Sequence, residues 1–97
     1  MVTTQEIMNT LASVKSELQT AFKVHEIGVF GSVIREEQKE SSDIDLLVRL
    51  DKDADLLDLI ALSQFLEERL HHKVDVVPRD ALRSELREQV LREVRYL

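Results

Sequence analysis

Two aspartates, Asp43 and Asp45, stand inside the apolar run DIDLLVRL, and a third, Asp75, stands inside KVDVVP. A carboxylate is costly to hold away from water unless something neutralises it. In an extended strand residues i and i+2 share a face, with α-carbons about 7 Å apart from a rise of ~3.4 Å per residue, so Asp43 and Asp45 lean together. Two anions so placed push one another toward protonation unless a cation sits between them. Mg²⁺ takes a few carboxylates, keeps several waters and leaves other positions to substrate phosphates. Two such ions about 3.5–4 Å apart suit in-line displacement at phosphorus. Asp75 points away from Val74 and Val76, and an adjacent strand would bring it beside the pair as third ligand or as base for an attacking hydroxyl. Each aspartate alone reads equally well as a strand-end carboxylate facing water. Three of them in apolar strands read as a metal-binding face.

Gly31-Ser32 ends the run HEIGVF, with ten residues intervening before Asp43. A glycine there lets a phosphate come close, while the N–H groups of a following helical turn and the serine hydroxyl can donate to it. By itself such a pair is an ordinary turn, and its weight comes from the aspartates that follow.

Positioning these residues needs a small sheet and helices to cover it. Residues 3–22 read as one helix, with Thr3 and Glu6 as a capping box and Ile7, Leu11, Val14, Leu18 and Phe22 along one face. A strand follows in HEIGVF, then a short helix and loop over 33–42. In DIDLLVRL, period two puts Ile44, Leu46 and Val48 on one face and Asp43, Asp45, Leu47 and Arg49 on the other. Asp53 or Asp55 caps a second long helix whose apolar side carries Leu56, Leu59, Ile60, Leu62, Phe65, Leu66 and Leu70. A third strand ends at Pro78. A last helix runs from about Asp80 to Tyr96, with Leu82, Leu86, Val90 and Val94 every four residues and a charged face of solvated ion pairs. His71-His72 fall at a helix end, where an imidazolium suits the dipole. This order predicts an α/β (α+β) fold, a small mixed sheet with helices packed on it.

The 97 residues fit a single domain, 1–97. A net charge of −6 argues against direct nucleic-acid binding, which needs a basic footprint. It leaves room for a nucleotide bound through metal ions. The chain has no cysteine, which removes disulfides and zinc-thiolate sites. With no signal-like start and no apolar run of membrane-spanning length, a cytoplasmic protein without membrane contact is expected.

GS, ten residues, then DID in an apolar strand, with a later VDVV, resembles the DNA polymerase beta-type nucleotidyltransferase superfamily. From about Val24 to Leu97 the chain is similar to its minimal nucleotidyltransferase (MNT) branch, most closely in SSDIDLLV and KVDVVPRDALRSELREQVLREVRYL. The resemblance implies the nucleotidyltransferase (polymerase beta-like) fold. It also implies nucleotidyl transfer from a nucleoside triphosphate, with Mg²⁺, two ions in the usual scheme, held by Asp43, Asp45 and Asp75. Gly31 and Ser32 match the phosphate-binding turn, and Arg35 matches an arginine that pairs with triphosphate oxygens. In that branch the partner is a HEPN-domain ribonuclease toxin, in toxin–antitoxin pairs grouped as type VII. The implied reaction transfers AMP from ATP to a tyrosine of that toxin and neutralises it.

The family motif often reads GSRARG, where this chain has GSVIRE, so Val33 replaces a basic residue and Glu36 a glycine. Those changes suit a second reading, an antitoxin of weak or no activity that neutralises by binding alone. A third is a nucleotidyltransferase acting on a small hydroxylated molecule.

Overall fold

A computed structural model describes residues 2–97. Its centre is a four-stranded sheet in the order β3-β2-β1-β4. β1 (Val24–Phe30) and β2 (Ile44–Leu50) are antiparallel, with Phe30 opposite Asp45. β3 (Val74–Pro78) lies parallel to β2 and puts Asp75 opposite Asp45. The long helix α3 (Leu56–Leu70) makes the crossover between these parallel strands.

Alternation divides the side chains of the sheet as the sequence predicts. Ile44, Leu46 and Val48 join Ile27, Val29 and Val76 in the main core, against Ile7, Leu11 and Leu18 of the N-terminal helices and Leu62, Leu66 and Leu70 of α3. The opposite face carries a smaller cluster of Phe30, Leu47 and Val90. Asp45 and Asp75 share this second face by the same period of two.

The expected helix over 3–22 is two helices, α1 (Thr4–Ser13) and α2 (Lys15–Thr20), broken at Val14. The Ser13 hydroxyl donates to the Thr10 carbonyl at 2.6 Å, and the Val14 N–H turns to Leu11 O at 3.2 Å. A side chain has thus taken the acceptor that the regular helix would have used. The apolar stripe survives the break, because Ile7, Leu11, Val14 and Leu18 are all buried. Thr3 caps α1 by accepting the Glu6 N–H.

For α3 the cap is Asp55, in a reciprocal box with Asp58. Asp58 lies below the usual carboxylate range, first through the Asp55 N–H and then through Lys23, whose Nζ is 3.3 Å away. Leu56 and Ile60, expected on the buried side, are exposed, because they fall to the side of the stripe of Leu59, Leu62, Leu66 and Leu70 that meets the core. Glu67 of α3 accepts the first N–H of β3, from Val74, at 3.1 Å.

Two further expectations change. No α-helix forms over 33–42. Gly31–Val33 make a 3-10 turn that closes at Glu36, whose φ is +58°. The Glu37 N–H donates to Ser32 O at 2.9 Å and the Glu36 N–H to Val33 O at 3.4 Å, the paired bonds of a Schellman stop. Residues 36–42 then offer no apolar stripe that would repay helix nucleation.

The last helix is also shorter than Asp80–Tyr96. A 3-10 turn (Arg79–Ala81) leads through extended Leu82 and Arg83 into α4 (Ser84–Glu93), and Val94 is extended again. Arg95–Tyr96 form β4 on the free edge of β1, opposite Val29 and Gly28. A Cβ on Gly28 would lie 2.7 Å from Val94 Cγ2 and 2.9 Å from Arg95 O, so glycine is what lets β4 approach. Among the described residues no helix is long and apolar enough to cross a membrane.

Candidate active site

A cleft of about 580 Å³ opens between the second face of the sheet and α4. Gly31, Arg35, Asp45 and Asp75 line it, with Val77, Leu82, Leu86 and Val90 as an apolar wall. Four of the six residues selected from sequence therefore meet in one cavity. β1 ends there in the Gly31 turn, β2 brings Asp45, and β3 brings Asp75 as the neighbour of Asp45 across the parallel ladder, where adjacent strands run about 4.8 Å apart.

Gly31 has φ +81°, and a Cβ built on it would fall 2.1 Å from Asp45 Oδ2. The glycine is needed on both counts, for its backbone conformation and for the room it leaves Asp45. The Ser32 N–H lies near enough to the Asp45 carboxyl to draw its pKa down.

Asp45 is the electrostatic centre. Its pKa is raised to about 6, first by burial and then by Asp75 and Asp43, against the opposing pull of Arg35 and of the Ser32 N–H. Asp43 lies one residue ahead of β2, exposed, beside a neighbouring recess with His72 and Lys73. It acts on Asp45 through space and does not line the cleft.

Hard carboxylate oxygens under mutual repulsion suit a hard cation, so Asp45 and Asp75, with Asp43 close by, fit Mg²⁺ by donor chemistry. Among the described residues no three His, Asp or Glu side chains gather into a ready-made ligand set. Such an ion would take its remaining ligands from water and substrate.

Arg35 is held by two acids. Its Nε donates to Glu37 Oε2 at 3.1 Å, and its Nη1 donates to both oxygens of Glu93, at 3.0 and 3.1 Å. Glu93 was not selected from sequence, because nothing local marks one glutamate of a charged helix as the partner of an arginine 58 residues away. The solvated reading of that helix holds for the exposed pair Glu88–Arg92 at 3.5 Å. The two departures from the GSRARG pattern lie off the cleft. Val33 is buried in the main core, and Glu36 lines a separate groove with Thr4 and Gln38.

A parallel pair of acid-bearing strands, a tight glycine turn and a covering helix define a small nucleotidyl-transfer domain. The chain belongs to the nucleotidyltransferase domain family, which matches residues 11–97. It is 45% identical over 97 residues to the protein adenylyltransferase MntA of Thermococcus cleftensis, across all of this chain and 98% of that one. A solved structure provisionally described as a minimal nucleotidyltransferase is 38% identical and superposes with a TM-score of 0.83, over 99% of this chain and 97% of its own. A crystal structure of a toxin–antitoxin with AMP-PNP is 27% identical with a TM-score of 0.71, over 91% of this chain and 71% of that one.

Proposed function

We propose that residues 1–97 act as one minimal nucleotidyltransferase domain, the antitoxin of a HEPN/MNT pair of the type VII kind. It moves AMP from ATP to a tyrosine hydroxyl of its HEPN toxin. The observation that carries this reading is the meeting of Gly31, Asp45 and Asp75 in one cleft. Similarity to a protein adenylyltransferase over the whole chain supports a protein acceptor, and the AMP-PNP complex supports ATP and a toxin partner.

In the proposed step the tyrosine oxygen attacks the α-phosphorus and forms the new O–P bond. The bond from that phosphorus to the bridging β-phosphate oxygen breaks, and pyrophosphate leaves with the electron pair. Asp75 or Asp45 receives the hydroxyl proton. Asp43, Asp45 and Asp75 would hold Mg²⁺, which when bound neutralises phosphate charge and lowers the hydroxyl pKa. Arg35 pairs with triphosphate oxygens. The Gly31-Ser32 turn borders that end of the cleft through Gly31, and Val77, Leu82 and Leu86 form an apolar wall on one side. Because Val33 and Glu36 lie off the cleft, neither favours the binding-only reading.

The test mixes the protein with its HEPN partner, ATP and Mg²⁺ and weighs the partner by intact mass spectrometry. One or more added AMP units, lost with Asp45→Ala, is the expected result. A stable complex with no gain in mass would refute the transferase reading in favour of neutralisation by binding.

A further inference from the structure

Glu93 stands where a carboxylate is doubly unfavourable. It is the last residue of α4, where the helix dipole disfavours negative charge. Its side chain is only 14% exposed and lines the cleft that already holds Asp45 and Asp75. A third acid there also opposes entry of a polyanion. What Glu93 does is grip Arg35: both of its oxygens accept from Nη1. Glu37 takes the Nε edge from a far more exposed position. Two of the three guanidinium nitrogens are thereby fixed, and Nη2 has no protein partner among the described residues. Glu93 is itself fixed, because the chain enters β4 two residues later and pairs with β1.

We infer that Glu93 is a positioning residue of the nucleotide site: it grips one edge of Arg35 and presents the free Nη2 edge to triphosphate oxygens in the cleft. The inference rests on the nucleotide reading above. A planar guanidinium serves because it can be held along one edge and donate from another, which an ammonium cannot.

The experiment measures the dissociation constant of Mg²⁺-AMP-PNP, by calorimetry on the full chain, for wild type, Arg35→Ala, Glu93→Gln and the double variant, with a thermal melt of each. Glu93→Gln keeps the size of the side chain and removes its charge. We expect both single variants to weaken binding by roughly tenfold or more, the scale of a hydrogen bond to a charged group. The double variant should bind no more weakly than Arg35→Ala alone, since Glu93 acts only through Arg35. Unchanged or tighter binding by Glu93→Gln, beside weakened binding by Arg35→Ala, overturns the inference and leaves the nucleotide reading standing. Additive losses also overturn it, because Glu93 would then act independently. No binding by wild type overturns the nucleotide reading and this one with it.

Discussion

Replacing Asp45 with asparagine should make the metal-free protein more stable at pH 8 and much less so at pH 4.5. Burial, Asp75 and Asp43 lift the Asp45 carboxyl from 3.8 to about 6 in the folded chain. The folded state therefore holds this proton more tightly than the unfolded state. The stability it contributes is fully present below pH 3.8 and is lost as pH rises through about 6. At about 1.36 kcal/mol per unit the full penalty at pH 8 is roughly 3 kcal/mol. Solvent access to a half-buried group reduces it to about 1–2 kcal/mol. Asparagine removes the charge and keeps the size of the side chain. In a domain of this size 1 kcal/mol moves Tm by about 4–8 °C, so the variant should melt about 4–16 °C higher at pH 8. Melts in EDTA, followed by circular dichroism at both pH values, read this directly. An equal gap at the two pH values, or a less stable variant at pH 8, would refute the electrostatic account of the site. An increase at pH 8 with loss of AMP transfer is the signature of a group kept for function at a cost in stability.

Two further outcomes follow from backbone geometry. Glu36→Gly relieves a left-handed residue at the Schellman stop and should stabilise by about 1 kcal/mol, with nucleotide affinity unchanged; a chemical denaturation curve and a binding isotherm check the two halves. Gly31→Ala puts a Cβ into Asp45 at a positive φ. It should lower stability by about 2 kcal/mol or more and abolish transfer, as read by the same denaturation curve and by partner mass.

The legible parts of this molecule are those in which short-range pattern and burial agree. The DIDLLVRL alternation separates Ile44, Leu46 and Val48 from Asp45 because one face of β2 meets the main core and the other meets α4. Asp75 was readable for the same reason. The break at Val14 was not, since it turns on one serine hydroxyl taking a backbone carbonyl. The β4 strand was hidden because Val94 continues the four-residue spacing of Leu82, Leu86 and Val90, and only the open edge of β1 beside Gly28 draws the chain out of it. Asp43, placed correctly in period, precedes the strand, and its charge reaches Asp45 from outside the cleft. At Glu36 the glycine of the GSRARG pattern has a backbone reason that the residue type alone does not show, because the position is left-handed.

The short β4 pairing has a mechanical consequence. α4 forms one wall of the cleft, yet its C-terminal end is tied to the sheet by two paired positions, Gly28–Tyr96 and Val29–Arg95, and by the Leu97 N–H on Ile27 O at 2.9 Å. The wall is moored at a hem, and the Arg35–Glu93 clasp is a second stitch a few residues away. The last turn of α4 and Arg35 are thereby referred to the same strand edge, so the width of the cleft at that end is set by how β4 sits on β1.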